Sequence, residues 1–251
     1  MMLQDNPAAR LLSILQAGKS KQSHLNTRDV WADLLDVDKS DDGKILCELG
    51  KFMGLPNEVD SLLDLHFPNA ATDSMKHCLH TISGAFRANN LNDQWKLFID
   101  KIDTHSIGTL SMGSAMLDTK LKAKLIEANE LDRIRSQIQE LIESVISTGE
   151  IEVQFQDDLV RYLSRILEAI NSYKITGAVP IMEAMEATVG HASISPNFRD
   201  NLKKEGVGQQ VVAVISALAQ MVTVAVGAPD AIENVRNVTT LLLTTAQAPG
   251  I

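Results

Sequence analysis

From Gly206 to Pro229 the chain reads GVGQQVVAVISALAQMVTVAVGAP, with no charged side chain. Stretches of comparable length elsewhere carry acids, bases or both. Such a segment has two stable fates: it enters a bilayer, or it buries its apolar side chains against its own body or a partner. Val211 to Val226 holds thirteen apolar residues in sixteen, interrupted by Ser216, Gln220 and Thr223. As a helix those residues span about 24 Å, against a hydrocarbon core of roughly 30 Å. A spanning helix therefore has to include the flanking residues, and its length is marginal.

The polar interruptions fall in register. Gln209, Ala213, Ser216, Gln220, Thr223 and Gly227 recur at steps of four and three, so they form one small and polar stripe on a helix. In a bilayer such a stripe suits helix–helix contact or a water-filled path. In a soluble protein it is the least buried face of a core helix. After Pro229, Ile232, Val235, Val238 and Leu242 continue as a second amphipathic helix carrying Glu233 and Arg236.

The rest of the chain reads as helix. Aromatic residues are only 4% of the 251, and Leu and Ala recur at helical spacing while alternating β-branched runs are scarce. Helix starts are marked by Asn6–Pro7, Asn26, the Asn69–Asp73 stretch and Ser195–Pro196, and stops by Gly18, Gly54, Gly177 and Gly190. The expected fold class is all-α: an N-terminal multi-helix bundle, a long central antiparallel helical hairpin and an apolar C-terminal helix pair.

The bundle is expected over residues 1–103, its core filled by Trp31, Leu34, Leu35, Leu46, Leu49, Phe52, Leu62, Leu63 and Leu65, with Trp95, Phe98, Ile99 and Ile102 as a further stripe. Residues 104–118, opening THSIGTLSMGS, are small and polar and read as a linker. Residues 119–205 carry the hairpin: Leu131, Ile134, Ile138, Leu141 and Val145 form one stripe, and Phe155, Leu159, Tyr162, Ile166, Ile170 and Tyr173 the other, with a turn at Ser147–Thr148–Gly149. Pro180 and Pro196 open two short helices. Residues 206–251 are the apolar C-terminal helices.

Charge and cysteine usage narrow the function classes. The net charge of −9 argues against broad phosphate binding, though a local basic patch is compatible with it. Cys47 and Cys78, the two cysteines, read as reduced apolar residues of a cytosolic protein, and the N-terminus lacks the basic-then-apolar order of a secretory signal. Lys120, Lys122, Lys124, Arg133 and Arg135 gather positive charge on and before the first long helix, where an anionic ligand such as an oligonucleotide could bind. Glu127, Glu130 and Asp132 intervene, and a mixed face is more often simply solvated. Lys203 and Lys204, just ahead of the uncharged segment, suit phospholipid headgroups.

Three apparent motifs fail on inspection. Asp38, Ser40, Asp42 and Gly43 occupy positions one, three, five and six of a calcium loop, but the bidentate glutamate at position twelve is replaced by Leu49. Asp73, His77 and His80 share a helix face without a fourth zinc ligand. Ala17–Gly18–Lys19–Ser20 imitates the end of a P-loop but has Ser13 where the first glycine belongs. No HExxH, nucleophile elbow, dinucleotide loop or RxxxxH pattern occurs, and no carboxylate stands alone in an apolar setting. Neither a catalytic residue nor a cofactor or metal is expected.

Several signatures resemble a family of uncharacterised bacterial helical proteins found near phage-defence genes. They are Asp29-Val30-Trp31 with Leu34-Leu35-Asp36-Val37-Asp38, Trp95 with Phe98-Ile99, and the run Leu159, Tyr162-Leu163, Ile166, Ile170, Tyr173, Ile175 and Gly177. The resemblance extends over residues 10–190, consists of helix-packing residues and brings no catalytic residues with it. A helical body ending in an apolar tail is similar to membrane effectors that arrest growth during infection, among them the Hailong type, a channel held shut by DNA oligomers. The resemblance implies a non-enzymatic, homo-oligomeric effector, cytoplasmic and associating with the bacterial inner membrane under ligand or partner control. The alternative is a soluble scaffold or regulator whose apolar tail packs in its own core or a dimer interface.

Overall fold

The computed structural model describes residues 5–68, 73–121, 123–148 and 151–226. Among them the fold is all-α, with no strand. The chain divides into two compact units: of the described residues, unit 1 takes those up to Ala123 together with Lys174–Gly177, and unit 2 takes the rest.

Unit 1 begins with α1 (Pro7–Lys19), α2 (Thr27–Leu35) and α3 (Asp42–His66), continues through α4 (Asp73–Arg87) and the single turn α5 (Lys96–Ile99), and closes with α6 (Thr104–Leu121). The starts follow cap chemistry: the Asn6 side chain accepts from Ala9 N ahead of Pro7, and that of Asn26 accepts from Arg28 N. Trp31, Phe52, Phe86, Trp95 and Phe98 stack around one centre, with Trp31 lying 5.1 Å from both Trp95 and Phe98 between ring centroids. Of the expected core, Leu62 is only half-buried, and Leu46 and Leu65 are exposed at 57% and 70%. Both point off the α3 face that buries Leu49, Phe52, Leu55, Val59 and Leu63.

Residues 104–118 are not a linker. They form most of α6, which packs on α1, α3 and α4, and Ser106, Thr109 and Ser114 are buried. The small residues that suggested a hinge instead permit close approach: a Cβ on Gly113 would lie 2.8 Å from the Met75 methyl. Asn6 Nδ2 also reaches the Ser114 carbonyl at 3.3 Å. Gly18 lies in the last turn of α1, which stops at Lys19 as expected, but two other expected stops lie within helices: Gly54 in α3 and Gly190 further on. In α3 the apolar stripe continues past Gly54 through Leu55, Val59 and Leu63, and its burial outweighs a local propensity cost of about 1 kcal/mol.

Unit 2 holds α7 (Ala128–Ser147) and α8 (Val153–Asn171). Gln156 Nε2 donates to Val145 O at 2.8 Å, and Arg135 Nε to Asn171 Oδ1 at 2.9 Å, so each helix meets the opposite end of the other. The turn α9 (Tyr173–Thr176) follows and ends at Gly177, whose φ is +71°. The chain then returns to unit 2 for α10 (Val179–Ile194), α11 (Pro196–Leu202) and α12 (Val207–Val226). α10 runs past Gly190 because Val189 and Ala192 are both buried. Residues 206–251 do not form a separate domain in their described part, since α12 packs on α7, α10 and α11. Gly227 and the amphipathic pattern from Ile232 to Leu242 lie outside the described residues.

Candidate functional site

α12 is long and apolar enough to cross a membrane, yet it lies in the core of unit 2. Val211, Val212, Ile215, Leu218 and Val222 are each at most 8% exposed. At about 1.5–3 kcal/mol per side chain, that face holds the helix firmly. The outward face carries Gln209, Gln210, Ala213 and Gln220, all exposed, and Val224 at 62%. The expected stripe is thus mostly outward, with two departures. Ser216 is half-buried, and Thr223 is buried at 5%. Both hydroxyls bond within the helix, Ser216 Oγ to Val212 O at 2.7 Å and Thr223 Oγ1 to Ala219 O at 2.8 Å.

The basic residues separate. Lys120 belongs to unit 1, with its ammonium 5.8 Å from the centre of the Phe67 ring. Lys122 lies outside the described residues. Arg135 is occupied by Asp132 and Asn171. Lys124 and Arg133 come together in unit 2, where they line a groove of about 370 Å³. Its other wall is the C-terminal half of α12, contributed by Gln220, Met221 and Val224, and Glu130 lies on the same rim as Arg133. Two of the candidate cations, Lys124 and Arg133, and one residue of the polar stripe, Gln220, therefore share one concavity although they lie far apart in sequence. The backbone fixes this corner: Lys124 N donates to Ala225 O at 2.7 Å, and Ile126 N to the Tyr173 hydroxyl at 2.8 Å.

The apparent motifs resolve into local structure. Asp38 Oδ1 accepts from Ser40 N at 2.8 Å and from Ser40 Oγ at 2.7 Å, which holds its carboxyl below the usual range. Asp41 caps α3 and Asp42 pairs with Arg28, so the calcium-like carboxylates have structural partners. Asp73, His77 and His80 are exposed on α4, and among the described residues no group of three metal-ligating side chains gathers.

Sequence reasoning missed one polar cluster. Asp158, 8% exposed, lies 3.3 Å from His191 Nε2 and accepts from Arg161 Nη2 at 2.6 Å. The His191 ring packs against Phe198 and Tyr162 at 4.8 and 5.2 Å. The cluster ties α8, α10 and α11 together. Reading Gly190 as a helix stop hid His191, whereas Asp158 beside Leu159 on an apolar face, three residues before Arg161, was a usable signal.

No protein-family model matches the chain, and comparison with curated proteins and with solved structures also finds no match.

Proposed function

We propose that the chain is a non-enzymatic helical scaffold or regulator that works through unit 2, with α12 as a core helix of that unit. The observation that carries this reading is the orientation of α12. Its apolar face lies against α7, α10 and α11, and Gln209, Gln210, Ala213 and Gln220 face outward together with Val224. Moving it into lipid would uncover the apolar faces it now covers. It would also bring the Gln220 amide into hydrocarbon, at about 2–7 kcal/mol if unpaired.

A second reading is the homo-oligomeric effector acting at the bacterial inner membrane, as a channel or by perturbing the bilayer. Its support is the length and lack of charge of Val207–Val226, together with the small outward residues that suit helix assembly. For either reading, the cations expected to hold an anionic or oligonucleotide ligand reduce to Lys124 and Arg133 within the groove. With Glu130 beside them, they suit one anionic head better than a run of phosphates.

Vesicle flotation separates the readings. Ala213 is exposed and does not line that groove, so Ala213→Asp leaves the fold intact while placing a charge well inside any inserted span. A scaffold stays in the soluble fraction with or without the substitution. Flotation of the unmodified chain that is lost in Ala213→Asp, with unchanged circular dichroism, would overturn the scaffold reading in favour of the effector.

A further inference from the structure

We propose that the groove walled by the 124–126 segment, the start of α7 and the C-terminal half of α12 binds a free anionic amphiphile of the fatty-acid class. This deepens the anionic-ligand expectation for Lys124 and Arg133, and it stands apart from the choice between the two readings of α12.

The charge pattern selects a single anionic head. Among the described residues neither Lys124 nor Arg133 has an ion-pair partner, whereas Arg135, two residues on, is tied to Asp132 and Asn171. Glu130 shares the rim without pairing to Arg133. The groove therefore carries two cations and one carboxylate, a net charge matched by one negative head. A polyanion would meet the Glu130 carboxylate.

The apolar pattern selects a tail. Val224 at 62% and Leu125 at 38% are among the large hydrophobic side chains exposed to solvent, and both edge this groove. Met221, half-buried, lines the same groove, and its unbranched thioether adapts to an alkyl chain. A volume of about 370 Å³ is within the range of small-molecule sites. A ligand with its head at Lys124 and Arg133 and its tail along Met221 and Val224 touches both walls. Binding would therefore fasten α12 to α7.

The test uses the full chain, with decanoate as the probe, decanol as its uncharged analogue and acetate as its tailless one. Titration calorimetry should give saturable decanoate binding, with decanol and acetate each weaker by roughly tenfold or more. Arg133→Gln and Val224→Ser should each weaken decanoate by about fivefold while leaving the urea midpoint of the ligand-free protein unchanged. Absence of saturable decanoate binding overturns the proposal. So does equal binding of acetate or decanol, or decanoate affinity that neither variant changes. Vesicles of acidic phospholipid form a separate arm. If they capture the chain through Arg133 and Val224 while free decanoate does not bind, the site reads a membrane surface, and the free-amphiphile assignment is wrong. Failure in every arm removes the ligand and leaves the flotation result with Ala213→Asp, a residue outside the groove, to decide the role of α12.

Discussion

Cys78 shows how burial sets chemistry one residue at a time. It sits at the centre of unit 1, and its Sγ donates to Ser106 O at 3.1 Å. Burial, with the nearby Asp103 charge, pushes the thiol up to about 11. Cys47 is exposed. A thiol reagent at neutral pH should therefore label one cysteine in the native protein and two in denaturant; native labelling of both would contradict the burial. The linkage sign follows. Between about 9 and 11 the unfolded chain loses the Cys78 proton while the folded chain keeps it, so this group lowers stability as pH rises through that window. A titration of the urea midpoint on Cys78→Ala, which should lack this downward slope, checks it. Asp103 runs the other way. The Ser106 N–H donates to it at 2.6 Å and holds its carboxyl low, so its contribution is present above the usual carboxylate range and is lost on acidification.

Arg10 is the residue least legible in the sequence. Its side chain is 9% exposed, pairs with Asp5 at 2.6 Å, and donates through Nε to Ile175 O at 2.9 Å. A charged residue near an N-terminus gives no sign of a partner 165 positions away. Arg10→Ala would leave Asp5 buried without its cation and should cost about 3–5 kcal/mol in urea unfolding. The caps Asn6, Asn26 and Ser195 were legible because cap chemistry is local. The groove was legible only in pieces, since nothing in the chain says that Lys124 and Gln220 meet.

At the scale of the element, periodicity read truly wherever an apolar stripe was long. Every residue of the two stripes expected for the hairpin is buried, although the last, Tyr173, falls in α9 just past the end of α8. It failed where small residues dominated, because α6 and a flexible linker share a composition and differ only in what packs on them. α12 combines both cases: its apolar face was clear, but the surface covering it was not. Gly208 marks where α12 meets α11, since a Cβ there would lie 2.5 Å from Asn201 O and 2.6 Å from Leu202 O. Backbone carbonyls cannot rotate away as a side-chain tip can. Gly208→Ala should therefore cost about 1–3 kcal/mol in unit 2 and weaken any ligand that uses the seated α12. Chemical denaturation followed by circular dichroism measures the first effect and decanoate titration the second.

Over the whole molecule, the division into two units departs from the order of the chain. Unit 1 ends at Ala123, then recovers four residues, Lys174–Gly177, after the chain has built α7 and α8 of unit 2. Those four are well seated within unit 1: Ile175 is 2% exposed in its core, and Lys174 Nζ donates to Leu34 O at 2.8 Å. Sequence periodicity could not reveal this, because Tyr173 and Ile175 lie in one run while their side chains enter different cores. The fluorophores offer a direct test. Both tryptophans, Trp31 and Trp95, belong to unit 1, and unit 2 has none. Ile175→Ala removes a buried side chain and should lower the stability reported by tryptophan fluorescence by about 2–5 kcal/mol. Ile138→Ala, at 0% exposure in the core of unit 2, is its control and should lower the stability of α7 and α8 by a similar amount. If Ile175→Ala leaves the tryptophan-reported transition unmoved, the four residues do not belong to unit 1, and the boundary between the units lies at Ala123 alone.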